Sequence, residues 1–183
     1  MTRSDTRLDR IYELHSRSIL AYCMRRGSRE DAQEATNEVF AVAWRRLDES
    51  PPDDQMLPWL YGIARNVMSH HRRSQARFSA LRKKAATLPE PAPAGPEGVV
   101  VQREEYDSVC RAVNRLNPDD REMLLLSAWE GLTHAEISEV MDYSLATVDK
   151  RLARSKERLR RQYEAIHKSH RPPASTAEGG EDA

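Results

Sequence analysis

The side chains best placed to do chemistry lie between residues 116 and 161, where two short apolar patterns run into a basic segment. Thr133-His134-Ala135-Glu136 has the T-x-x-E form in which a Thr hydroxyl and a Glu carboxylate satisfy orphan amides at a helix start. Ala135, Ile137, Val140 and Met141 follow at helical spacing. Asp142-Tyr143-Ser144 then interrupts, and Ser144 can cap a second helix carrying Leu145, Val148 and Leu152. Two short helices across a three-residue turn make a helix-turn-helix, whose second helix enters the DNA major groove by its N-terminal residues. Ala146, Thr147, Asp149, Lys150, Arg151, Ala153 and Arg154 are the candidate readers. Lys150 shares a face with Ala153 and Arg154, while Val148 and Leu152 hold the opposite side against a core.

Charge segregation points the same way. The chain balances 29 Lys and Arg against 29 Asp and Glu, yet residues 150–171 carry nine cations and two acids, whereas residues 123–149 carry five acids and no Lys or Arg. A solvated helix mixes signs, so one-sided basic clustering favours a phosphate-binding surface over a plain helical hairpin. A second cluster lies upstream. Arg65, Arg72, Arg73, Arg77, Arg82, Lys83 and Lys84 are seven cations with no acid among them, preceded by Trp59 and Tyr61 as candidate stacking groups for bases.

The elements that must position these groups are all helical. Leu8, Ile11, Tyr12, Ile19, Leu20 and Cys23 form an apolar stripe that stops at Gly27, a residue suited to the left-handed C′ position. Ser28 caps a second helix with Glu30 and Asp31 in its first turn and Ala32, Ala35, Val39, Phe40, Ala43 and Leu47 at helical spacing. Pro51-Pro52 marks a loop. Pro58 suits the start of a third helix, whose buried face is Leu57, Leu60, Tyr61, Ala64, Val67 and Met68. Residues 88–98 hold four prolines and two glycines, so helix cannot pass and a semi-extended spacer is expected. The expected fold is therefore all-α, with two small helical domains joined by a Pro-rich linker: residues 1–78, a linker at 79–98, a second domain at 99–166, and a disordered tail at 167–183 rich in Pro, Ser, Ala, Gly and acids.

Several classes are disfavoured. No run of 18 apolar residues exists and the N-terminus lacks an apolar signal core, so a cytoplasmic protein without membrane insertion is expected. Cys23 and Cys110 are isolated and suit a core better than a disulfide or metal site. His70-His71 lack the i,i+4 spacing of two ligands on one helix face, and no Gly-rich phosphate loop or nucleophile elbow is present, so neither catalysis nor a cofactor is expected.

Three motifs in order resemble the extracytoplasmic-function type of bacterial RNA polymerase sigma factor, over nearly all of residues 8–161. Residues 31–44 resemble the segment that docks on the polymerase clamp helices, which implies polymerase-binding roles for Asp31, Glu34, Asn37, Glu38, Phe40 and Trp44. Residues 59–66 resemble the segment that opens and reads the minus-10 element, implying roles for Trp59, Tyr61, Arg65 and Asn66, with Arg72 and Arg73 beyond them. Asn66 stands where relatives help form a pocket for a flipped base, and an amide can both donate to and accept from a Watson–Crick edge. Residues 116–161 resemble the domain that reads the minus-35 element and holds the polymerase flap tip, with Asp149, Lys150, Ala153 and Arg154 at base-reading positions. Three departures stand out: Ser50 where some relatives carry an aromatic residue, Asp142 where many have Gly, and Asp149 where many have Arg or Lys. Asp tolerates a left-handed backbone, so the turn at Asp142 should survive. Asp149 can complement its helix dipole, orient Lys150 or Arg151, or accept from cytosine N4, the last being the weakest of the three.

The resemblance implies core RNA polymerase and promoter DNA as partners and an anti-sigma factor as inhibitor. From the residues alone an alternative stays open, an autonomous helix-turn-helix regulator that dimerises and binds an operator.

Overall fold

The computed structural model describes residues 3–85 and 111–169, and every described element is helical. The first domain comprises α1 (Arg3–Met24), α2 (Arg29–Arg45) and α3 (Met56–Ala85), with two 3-10 turns at Leu47–Glu49 and Asp53–Gln55 between the last two. The second comprises a helical segment ending at residue 114, then α4 (Pro118–Ala128), α5 (His134–Met141) and α6 (Leu145–Ser169).

Local chemistry sets the helix starts. Ser28 Oγ accepts from the Asp31 amide, Asn117 Oδ1 accepts from the Asp120 amide at 2.9 Å, and Pro118 occupies the first turn of α4, where its missing N–H costs nothing. The capping box expected at Thr133 is present: the Thr133 amide donates to Glu136 at 2.7 Å and the Glu136 amide to Thr133 Oγ1 at 3.3 Å. Arg121 closes the end of the segment before α4 by donating to the Asn114 carbonyl at 2.7 Å. Asp142 ends α5 in the left-handed region, φ 56° and ψ 46°, as its place in the turn requires. Gly27 differs from expectation. Its φ is not positive, and its use is close approach: a Cβ there would lie 3.0 Å from the Met68 methyl of α3.

α1, α2 and α3 pack on one another around Ile19, Tyr22, Val39, Leu60 and Ala64, all inaccessible to solvent, and α4, α5 and α6 do so around Met123, Leu126, Ile137 and Val148. The two sets are one continuous apolar cluster, because α3 also packs against α5. Ile63 is buried there, a second apolar side of α3 that a single-domain stripe did not predict. α3 also runs to Ala85, seven residues into the expected linker, and α6 reaches Ser169, past the expected start of the tail. The Pro-rich stretch and the remainder of the tail lie outside the described residues.

Candidate nucleic-acid interface

On α6, burial separates readers from supports. Val148, Leu152 and Ser155 face inward, while Lys150, Ala153, Arg154 and Lys156 are exposed. Ser144 accepts from the Thr147 amide at 3.3 Å, and its hydroxyl lies 2.8 Å from Thr147 Oγ1, so Thr147 is tied into the cap. Arg151 departs from the reading role expected of it. It donates through Nε to Asp120 at 3.0 Å, lies 3.8 Å from Asp119, and stacks 5.0 Å from the Tyr143 ring centre, so its charge is spent bracing α6 on α4. Asp149 orients neither Lys150 nor Arg151. Its Oδ1 lies 2.5 Å from His134 Nδ1 across the turn.

The basic face is narrower than the residue count suggested. Glu157 binds Arg160 and Arg161, whose guanidiniums pull its carboxyl down to about 2; Arg160 also meets Glu164, and Arg158 lies 3.6 Å from Asp120. Among the described side chains of α6, Lys150, Arg154 and Lys156 remain as outward cations with no acidic partner.

On α3, Trp59, Arg65 and Asn66 line one cleft of about 440 Å³ with Arg46, and Asn66 is exposed. Arg72 and Arg73 continue outward along the helix. Tyr61 is not available for stacking on bases. It is 3% exposed, its ring lies 5.2 Å from that of Tyr22, and burial pushes its phenol pKa up. The residue lies on the same helix face as Leu60 and Ala64, and the apolar demand of that face decides its direction.

The residues expected to bind polymerase divide similarly. Glu34, Asn37 and Trp44 form an exposed stripe of α2. Phe40 is turned inward, 6% exposed and 4.8 Å edge-on from Tyr12, which removes it from that stripe. Asp31 accepts from Gln75 at 2.7 Å and Glu38 meets His71 at 2.8 Å, so both carboxylates tie α2 to α3.

An ionic cluster that no sequence motif announced joins the domains. Arg26 donates to Glu122 at 2.9 Å and to Glu130 at 3.0 Å; Arg25 also pairs with Glu130; Tyr22 donates to Glu122 at 2.6 Å. The Arg26 and Glu130 side chains are 2% and 1% exposed, and the Arg26 guanidinium sits 3.5 Å over the Tyr22 ring. Farther along the interface Arg65 lies 3.7 Å from Asp119, and Glu139 and Asp142 of the helix-turn-helix complete the cleft that holds Trp59 and Asn66. Of the five acids in residues 123–149, Glu130 thus pairs across the domains, and Glu139 and Asp142 line the cleft between them.

Residues 11–78 match the Sigma-70 region 2 family and residues 107–159 the Sigma-70 region 4 family. The RNA polymerase sigma factor NccH of Alcaligenes xylosoxydans xylosoxydans is 32% identical over 133 residues, covering 70% of this chain and 71% of the relative. The chain belongs to the extracytoplasmic-function sigma factors. The sigma-E factor of Escherichia coli K12 is 28% identical over 137 residues, 70% of this chain and 72% of the relative. Among solved structures, the fold of this sigma factor is similar to RpoE of Bartonella quintana, solved with the anti-sigma factor NepR, at TM-score 0.62 and 19% identity over 89% of this chain and 98% of that one. It is also similar to CnrH, solved with the cytosolic domain of CnrY, at TM-score 0.58 and 22% identity over 86% and 88% of the two chains. The sigma factor binds core RNA polymerase and directs it to promoters. Among the described residues no helix is long and apolar enough to cross a membrane.

Proposed function

We propose that this sigma factor reads the minus-35 element with the exposed face of α6, chiefly Lys150, Ala153 and Arg154, and the minus-10 element with Trp59, Arg65 and Asn66 in the α3 cleft. Arg72 and Arg73 hold flanking phosphates, and Glu34, Asn37 and Trp44 dock on polymerase, which supplies all the nucleotide chemistry in the cytoplasm. The observation that carries this reading is the cleft itself: an indole, an amide and two guanidiniums around a concave space suit an unstacked base and its phosphates.

Glu139 and Asp142 share that cleft with Asn66, and Asp119 holds Arg65. Carboxylates there repel DNA phosphate, so the packed arrangement is a resting form that must open before the minus-10 strand enters. The solved relatives RpoE and CnrH were captured with the anti-sigma factor NepR and with CnrY. By analogy, an anti-sigma factor holds this chain in its resting form.

The test is transcription in vitro from promoter DNA that core polymerase alone ignores. Specific initiation on adding the purified chain is expected, with loss on Asn66→Ala and on Lys150→Ala. No initiation, together with tight operator binding by the chain alone, would replace this reading with an autonomous regulator.

A further inference from the structure

His134 is the one side chain between residues 123 and 149 that can carry positive charge. It stands at the first position of α5, the helix that precedes the recognition helix, and its side chain is 44% exposed. The first helix of a helix-turn-helix crosses the DNA backbone while the second enters the groove. A cation at a helix N-terminus is opposed by the helix dipole, so an imidazolium there needs a compensating anion. Asp149 of α6 supplies one at 2.5 Å, through Nδ1, which leaves Nε2 as the second donor of the ring.

We propose that His134, held by Asp149, is a phosphate contact of the minus-35 reader that makes promoter binding proton-linked. The proposal rests on α6 being that reader. It also accounts for the acid at position 149: the carboxylate holds the ring by its Nδ1 instead of reading a base, and the pair together shows phosphate a donor where a lone Asp would repel it. Most of the surrounding charges are engaged with one another, while Glu139 and Asp142 of α5 face the α3 cleft. Glu136, on the same helix, accepts from the Thr133 amide and hydroxyl. From α4, Asp119, Asp120 and Glu122 are engaged by arginines, and from α3, Arg65 is engaged by Asp119. α6 brings Asp149 and the outward Lys150.

Binding that favours the imidazolium takes up a proton, so affinity falls as pH rises, by at most about tenfold per pH unit for one proton. The experiment measures holoenzyme affinity for one promoter at pH 6 and pH 8 with full-length wild type, His134→Gln, His134→Lys, Asp149→Asn and Lys150→Ala. Wild-type affinity should drop roughly three- to tenfold between the two conditions, beyond any drop shown by His134→Gln. His134→Gln should be weak at both and His134→Lys tight at both; Asp149→Asn, which frees the ring, should weaken binding at pH 6. If His134→Gln keeps the wild-type profile while Lys150→Ala weakens binding, the His134 contact is wrong and the reader stands. If Lys150→Ala also has no effect, α6 is not the reader.

Discussion

Replacing Arg26 with Ala should open the molecule. In the packed form Arg26 is the shared partner of Glu122 and Glu130, whose side chains are 10% and 1% exposed. Removing one partner of a buried ion pair leaves an uncompensated charge and costs about 3–5 kcal/mol. Tyr22 still serves Glu122 and Arg25 still serves Glu130, which favours the lower end, about 3 kcal/mol. When the domains part, both carboxylates regain water, so the penalty falls on the packed form alone. At about 1.4 kcal/mol per decade the equilibrium should shift roughly 100-fold toward open chains. Small-angle X-ray scattering on full-length chain should show a larger radius of gyration for Arg26→Ala, with helical circular dichroism unchanged, and the variant should bind a minus-35 duplex more tightly than wild type. The triple change Arg26→Met, Glu122→Leu, Glu130→Leu removes every charge of that group except Arg25 and should stay compact, since apolar replacement of a buried ionic cluster is commonly neutral or stabilising. An unchanged radius for a folded Arg26→Ala chain, or opening of the triple variant, would refute the argument.

Other consequences are quickly checked. Asp142→Gly removes a non-glycine residue from the left-handed region and should raise domain stability by about 0.5–1 kcal/mol, measured by urea unfolding. Lys150→Ala should weaken promoter binding and reduce the slope of log K against log salt by about one, whereas Arg160→Ala, whose charge is spent on Glu157 and Glu164, should leave that slope nearly unchanged. The Tyr22 phenol has its pKa raised well above 10 by burial and then by Glu122. A raised folded value means that the stabilisation from the neutral phenol is complete below about pH 10 and is lost as pH climbs through the folded value, so Tyr22→Phe should reduce the alkaline loss of stability, leaving the part due to the buried Tyr61 phenol and Cys23 thiol.

Much of this architecture was legible because it is local. Ser28, Thr133 and Ser144 announce helix starts through hydrogen bonds made within three residues, and the periodicity of α2 and α5 marks the sides that the structure buries. What could not be read was direction among polar groups that have several possible partners. Arg151 is as basic as Lys150, and only the position of Asp119 and Asp120, some thirty residues earlier, turns it inward. Tyr61 and Phe40 each belong both to an apolar stripe and to a motif that implies a binding role, and the structure buries them with the stripe. The ionic cluster was least visible of all. Tyr22, Arg25 and Arg26 meet Glu122 and Glu130 across about a hundred residues, and nothing periodic links such positions.

α3 is one unbroken helix of 30 residues from Met56 to Ala85. At 1.5 Å per residue it is about 45 Å long, and the eleven steps from Asn66 to Arg77 cover about 16 Å. A base pair rises about 3.4 Å, so these two backbone positions can be no more than about five base pairs apart along a duplex. On the proposed reading the helix is thus a ruler: wherever Asn66 meets its base, a phosphate held by the backbone position of Arg72, Arg73 or Arg77 lies within a fixed number of base pairs of it, whatever the promoter.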